Sequence, residues 1–286
     1  MIRCPKRAAL VLFGTLCFSV TVFGQDIVPD TTYWKHGVVA TLTATQVSFN
    51  DWAQGGENAL SWTTGLDGKS VYEVVDYNWS NSYKLAYGQT KIGSQGTRKA
   101  DDKIDLESIL TYKMSLYVNP YVGTTLKTQF TQGYSYDALG VAAPLSAFFD
   151  PGYLTQSAGF GYQPIPEVKT RLGAAIRETF TKSFNVYSDD PKTVEIEKTK
   201  VEGGFESVTD VEWKLEQNLL FKSKLELFAA LKTLDAVVVR MDNTLTANIS
   251  KYVVVNLNVQ IINEKIISPR TQVKQTVSFG LSYVLF

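Results

Sequence analysis

The chain has almost no cysteine, a single histidine and no surplus of either charge. Of its 286 residues only Cys4 and Cys17 are cysteine, and both fall within the first 24 positions. A disulfide scaffold and a Cys/His zinc site are thereby excluded. Lysine and arginine number 28, as do aspartate and glutamate, so the basic excess of a nucleic-acid binder is missing. No phosphate loop, metal-ligand cluster or Gly-x-Ser-x-Gly elbow occurs, and the lone His36 has no second imidazole to share acid–base work. Amphipathic helix patterns are also lacking after residue 24. These gaps predict no cofactor, no metal, no nucleic-acid partner and no enzymatic activity.

The first 24 residues stand apart. Arg3, Lys6 and Arg7 precede an uncharged apolar stretch from Ala8 to Phe23, and Val22-Phe23-Gly24 supplies small residues at its end. This is the pattern of a secretory signal peptide, and the apolar run is shorter than the ~20 residues that a helical span needs. The expected division is a leader at 1–24, a periplasmic segment at 25–37 and a folded unit at 38–286.

Period two dominates the chain beyond residue 37. Ile104, Leu106, Leu110 and Tyr112 alternate with Asp105, Glu107, Ile109 and Thr111, and Val253, Val255, Leu257 and Val259 alternate with Val254, Asn256 and Asn258. Phe221, Leu225 and Leu227 oppose Lys222, Lys224 and Glu226 in the same way. Strand side chains point alternately to opposite faces, so each segment has one apolar and one polar side. The chain is all-β.

Strand length narrows the choice. Globular strands usually run to about 5–6 residues, whereas these alternating segments are long enough to cross a bilayer when tilted. Twelve are expected, at 38–49, 58–74, 77–93, 101–115, 117–132, 155–163, 168–181, 197–213, 217–231, 235–249, 251–263 and 271–286. An even number suits a closed antiparallel transmembrane β-barrel, the architecture that leaves no unpaired edge in lipid. Tyr and Trp near strand ends suit interfacial girdles. With the amino terminus in the periplasm, the longer connections fall outside and the shorter ones inside.

The last strand carries Gly280, Tyr283, Leu285 and Phe286. It resembles the terminal signal read by the bacterial barrel-assembly machinery, which makes that machinery and outer-membrane lipid the expected partners. A second resemblance lies in Asn50, Trp52, Gly55, Gly56, Glu57 and Asn58. This stretch is similar to the Asn-x-Trp-x-x-Gly-Gly-Glu signature of an uncharacterised outer-membrane barrel family of Bacteroidota, and 98–103 and Gly133-Tyr134 resemble further blocks. The resemblance implies an outer-membrane barrel and no particular activity. The loop motif reads as a structural corner or a ligand site.

Three functions remain open. One is a small or plugged channel for small polar solutes. Another is a structural or interaction barrel with a salt-bridged lumen. The third is a soluble periplasmic β-barrel binding an apolar ligand. The polar face mixes signs (Asp105, Glu107, Lys113, Glu212, Lys214, Glu216, Lys222, Lys224, Glu226, Arg240 and Asp242), and opposite charges on neighbouring strands are expected to pair and narrow the space. The aromatic, glycine-containing stretch 133–154 is expected either to fold inward as a plug or to stand as an exposed loop. Asp189 and Asp190 belong to a solvated loop, with cation binding as the lesser alternative.

Overall fold

The computed structural model describes residues 33–48, 57–137, 140–190, 192–234, 236–265 and 268–285. The leader and residues 25–32 lie outside them. In chain order the strands are β1 (Trp34–Val47), β2 (Ala59–Glu73), β3 (Tyr77–Ile92), β4 (Thr97–Tyr112), β5 (Val118–Thr128), β6 (Gly133–Tyr136), β7 (Ala142–Ser146), β8 (Gly152–Ile165), β9 (Val168–Phe180), β10 (Thr199–Glu216), β11 (Leu219–Ala230), β12 (Val238–Asn248), β13 (Val253–Asn263) and β14 (Gln272–Val284). One 3₁₀ turn, Asn185–Tyr187, is the only helical element among the described residues. All but β6 and β7 close into a twelve-stranded antiparallel barrel, in the order β1-β14-β13-β12-β11-β10-β9-β8-β5-β4-β3-β2.

The twelve expected strands are the twelve of the barrel, with shifted ends. β1 pairs with β2 from Trp34↔Tyr72 onward, so residues 34–37 belong to the barrel rather than to the 25–37 segment. β4 starts at Thr97, not 101, because the register slips beside Gly88/Gln89. A bulge there puts one residue out of phase and hides the alternation from the sequence. β8 likewise begins at Gly152, where its backbone already pairs with Phe180. Turns 74–76, 113–117, 166–167, 217–218 and 249–252 close the end that holds Trp34, and longer excursions such as 129–151 and 181–198 occupy the other.

Closure is made by the terminal strands, with Thr43↔Gly280, Ala40↔Tyr283 and Val39↔Val284 in register. The N–H of Leu285 donates to the Val38 carbonyl at 2.8 Å, extending the seam by one bond. Phe286 lies outside the described residues. Within the wall, Gly159 and Gly173 face each other, and a Cβ on either would come within 2.4 Å of the other strand's backbone. Only glycine permits that approach.

The barrel is inside out relative to a soluble protein. Leu172, Ile176, Phe205, Val277, Phe279 and Leu281 are each at least half exposed, and only seven apolar residues are buried among those described. Arg171 and Arg177, which alternate with Leu172 and Ile176 on β9, are buried, as is Asp105 beside the exposed Leu106 on β4. Near the Trp34 end the outward face carries tilted contacts between Trp34, Tyr72 and Trp79, a Tyr77–Tyr112 pair and a stacked Tyr252–Tyr283 pair. Trp62 and Tyr87 meet edge-on nearer the opposite rim. A soluble barrel with an apolar ligand cavity would reverse these faces, so that expectation is overturned.

Candidate functional site

The charged faces of six strands converge in the lumen. Glu107 on β4 accepts from Arg171 of β9 at 2.6 Å and from Lys224 of β11 at 2.8 Å. Arg171 also reaches Asp210 of β10 at 3.7 Å, and Lys224 lies 3.7 Å from Glu226. Glu226 in turn accepts from Lys127 of β5, which is 3.8 Å from Asp105. Lys103 completes the run, 3.9 Å from Asp105 and 3.1 Å from Asp242 of β12. The amide of Asn258 donates to the free oxygen of Asp242 at 2.7 Å. Acid and base alternate along the whole path, as they must if charges withdrawn from water are each to be compensated.

Four of these bonds cross the barrel: Glu107–Arg171, Glu107–Lys224, Lys127–Glu226 and Lys103–Asp242 join strands that are not adjacent. In the strand order, β4 and β12 are diametrically opposite. A circular barrel of twelve tilted strands would have a Cα diameter of roughly 24 Å. A 3.1 Å bond between one lysine and one aspartate spans far less, so the cross-section is flattened along this line. The expected pairing between neighbouring strands is present in Arg171–Asp210 and Lys127–Asp105, and the longer pairs across the lumen add to it. The wide pairs require a side chain as long as Lys or Arg on one side, which adjacent strands would not.

A second cluster sits toward the loop-rich end. Glu264, the first residue past β13, is 5% exposed and bonds both Arg177 of β9 (2.5 Å) and Arg240 of β12 (2.8 Å). The ring of Tyr153 stacks on both guanidinium groups at 5.0 and 5.1 Å, with Phe228 5.6 Å from Arg177. Burial pushes the Glu264 carboxyl up, but Arg240 and Arg177 outweigh it and hold it below the usual carboxylate range. A lowered folded-state pKa stabilises above the unfolded value of about 4.3 and is lost as pH falls through the folded value. The clamp should therefore be indifferent to pH from 5 to 8 and release only in stronger acid. Tryptophan and tyrosine fluorescence during an acid titration of the Glu264→Gln variant against the parent checks this: an acid transition of equal size in both would exclude Glu264 as its source.

Little space remains between the two clusters. A cavity of about 50 Å³ lies there, lined among others by Lys127, Glu226, Arg177 and Arg240, and one of about 20 Å³ lies beside the Glu264 clamp, enough for isolated waters. Lower down the lumen is wetter: Lys222 and Glu212 form a 3.3 Å pair with both side chains more than half exposed. Lys113 bonds Glu73 at that same end, whereas Lys214 and Glu216 lie at an exposed strand end outside the cluster.

The sequence-based candidates divide. Asn50, Trp52, Gly55 and Gly56 lie outside the described residues. Glu57 and Asn58 brace the β3–β4 turn, where the Gly93 N–H donates to the Asn58 carbonyl at 2.7 Å and Gly93 adopts a positive φ against the Glu57 carboxylate. Within 98–103, Asp102 accepts from the N–H groups of Phe130 and Thr131 and from Lys99, while Arg98 stacks 3.9 Å from the Tyr136 ring. Those contacts tie the β6–β7 hairpin to the end of β4 at the loop-rich rim, with Tyr134 and Leu145 exposed. The end of the 133–154 stretch, Gly152–Leu154, belongs to β8, and Tyr153 lies in the lumen against Arg177 and Arg240, where the wall's own charges narrow the space. Asp189 and Asp190 accept loop N–H groups of Glu197 and Lys192. The hydroxyl of Thr193 and the N–H of Asp190 hold the Glu197 carboxyl at about 2. His36 lies within β1, not before it, with Nδ1 2.9 Å from the Ser70 hydroxyl and its ring stacked on Trp34.

Lys103, Lys127, Arg171, Arg177, Asp210 and Glu264 were not among the expected lumen residues. Glu264 had a usable signal, since it continues the even-numbered lumen phase of Asn256, Asn258, Gln260 and Ile262.

The fold and its interior define a closed β-barrel with an apolar exterior and an ion-paired lumen. Residues 44–134 match a family described as a protein of unknown function (DUF3078), and residues 152–284 match a second, protein of unknown function DUF481. No curated protein matches the chain. Similar solved structures include an outer membrane channel from Pseudomonas putida F1, 11% identical, covering 87% of this chain and 93% of that one with a TM-score of 0.40. The translocator domain of autotransporter NalP from Neisseria meningitidis is 8% identical over 87% and 86% of the two chains, TM-score 0.35. The CymD monoaromatic hydrocarbon channel is 9% identical over 87% of each, TM-score 0.33.

Proposed function

We propose that this chain is an integral outer-membrane barrel with a constricted lumen that passes small polar solutes. The observation that carries the reading is the inverted polarity of one continuous wall. An apolar outward band ending in Trp and Tyr suits lipid and its interfaces, while the polar inward face suits water. On this reading residues 1–24 direct export and are removed. The cross-lumen ion pairs favour one alternative, a sealed structural or interaction barrel without transport. Nothing in the site calls for an enzyme.

Two further elements belong to the proposal. The strand holding Gly280, Tyr283 and Leu285 is read as the assembly signal, since its partner β1 closes the barrel. Replacing Tyr283 and Leu285 together by alanine should then remove most folded barrel, as judged by heat-modifiable gel migration; normal amounts would make β14 an ordinary strand. The blocks at 50–58 and 98–103 are read as those of the Bacteroidota family, and the first family match spans both.

The deciding experiment reconstitutes the purified protein in planar bilayers and in liposomes. Low conductance with measurable entry of small polar solutes is expected. Large, stable conductance would replace this reading by an open porin, and absence of any entry would leave the sealed barrel. Recovery from cells in the soluble periplasm would remove the membrane reading itself.

A further inference from the structure

The Lys103–Asp242 bridge is a chord, and the two sides of it differ. One arc runs from β4 through β5, β8, β9, β10 and β11 to β12 and contains the ion-pair chain and both arginines of the Glu264 clamp. The other runs through β13, β14, β1, β2 and β3. Its inward positions follow from register. Lys84 faces the lumen, because it pairs in register with the inward Asp105. Asp67 pairs with Lys84, Thr63 and Thr43 lie in phase with Asp67, and Gly280 pairs with Thr43. The inward face of this arc is thus short and mostly uncharged: Thr41, Thr43, Thr63, Gly65, Ser80 and Ser278 are typical.

Exposure separates the two arcs. Thr276, Asp67 and Lys69 of the small-residue arc are exposed although they face inward, whereas Thr125 on the charged arc is buried. In the middle of the arc Asp67 has Lys84 beside it in register, whereas Lys69 stands between Gly37 and Ser82. At the loop-rich mouth, Lys274 and Asp101 form a 3.0 Å pair with 40% and 31% of their side chains exposed. A pair so hydrated is weak and exchanges readily with water.

We infer that the lumen holds one lane, along β13–β14–β1–β2–β3, and that this lane takes small uncharged hydrophilic solutes able to exchange hydrogen bonds with hydroxyl groups. Hydroxyl and amide groups replace part of the hydration of such a solute, while a lane lined mostly by such groups offers an ion little opposite charge. The buried chain opposite serves as the fixed wall. The inference rests on the transport reading above for its solute and on the geometry alone for its position.

Two measurements separate those parts. Single cysteines at Thr63, Ser80, Thr276 and Thr125 are placed in the full chain with Cys4 and Cys17 changed to serine, and treated in membranes with a small methanethiosulfonate reagent. The first three should be modified and Thr125→Cys should not. Modification of Thr125→Cys, with Thr63→Cys protected, would overturn the lane. Liposome swelling then follows glycerol and urea beside sodium chloride. Both neutral solutes should enter faster than salt, and Thr63→Trp should slow them roughly tenfold by filling the lane. Preferential salt entry, or swelling unchanged in a folded Thr63→Trp barrel, would overturn the solute class. No swelling with any solute, despite the expected cysteine pattern, would overturn transport and the solute class together.

Discussion

Glu107→Ala should be the most damaging single substitution in the lumen. Glu107 is the shared acceptor of Arg171 and Lys224, and its side chain is 11% exposed. Its removal leaves two buried cations with fewer partners, and breaking a buried pair in this way costs about 3–5 kcal/mol. The shift should appear as an earlier midpoint in denaturant, read by loss of heat-modifiable migration. Conductance should rise in the same variant, because the chain of ion pairs is cut near its centre. Unchanged stability and conductance would show that these pairs do not hold the lumen closed.

Ile176→Arg tests the opposite face. Ile176 is half exposed and points outward between the inward Ala175 and Arg177. In a bilayer an arginine there costs about 2–4 kcal/mol if it lies near the midplane and less toward either interface. In water the same change on an exposed position would cost almost nothing. Folding yield into lipid vesicles should therefore fall sharply for Ile176→Arg and hardly at all for Ile176→Leu. Equal yields would remove the assignment of this face to lipid.

The sequence made the wall readable and the interior only partly so. Alternation shows a strand wherever it is unbroken, as in 253–263, and fails where the β4 bulge shifts it by one. The polar face identified Glu107, Lys224 and Asp242 as lumen residues, because phase alone settles facing. Their partners could not be read, since Lys103 and Asp242 are 139 positions apart and meet only when the barrel closes. The stretch 133–154 looked equally suited to plug or rim. The anchoring of Asp102, Lys99 and Arg98 decided between them, and it depends on the neighbouring strand ends.

The distance along the chain between bonded charges bears on the order of assembly. Lys224 and Glu107 are 117 positions apart and Lys103 and Asp242 more than that, so no growing hairpin can contain either pair. The pairs form after the strands have been laid down side by side, late on the route to the native state. Interactions absent from the transition state slow unfolding and leave the folding rate almost untouched. The ion-pair chain therefore acts as a latch in time: Glu107→Ala should unfold faster than the parent in stopped denaturant-jump experiments while inserting at nearly the parent's rate. A barrel of this kind closes at the pace of its strands and stays closed at the pace of its charges.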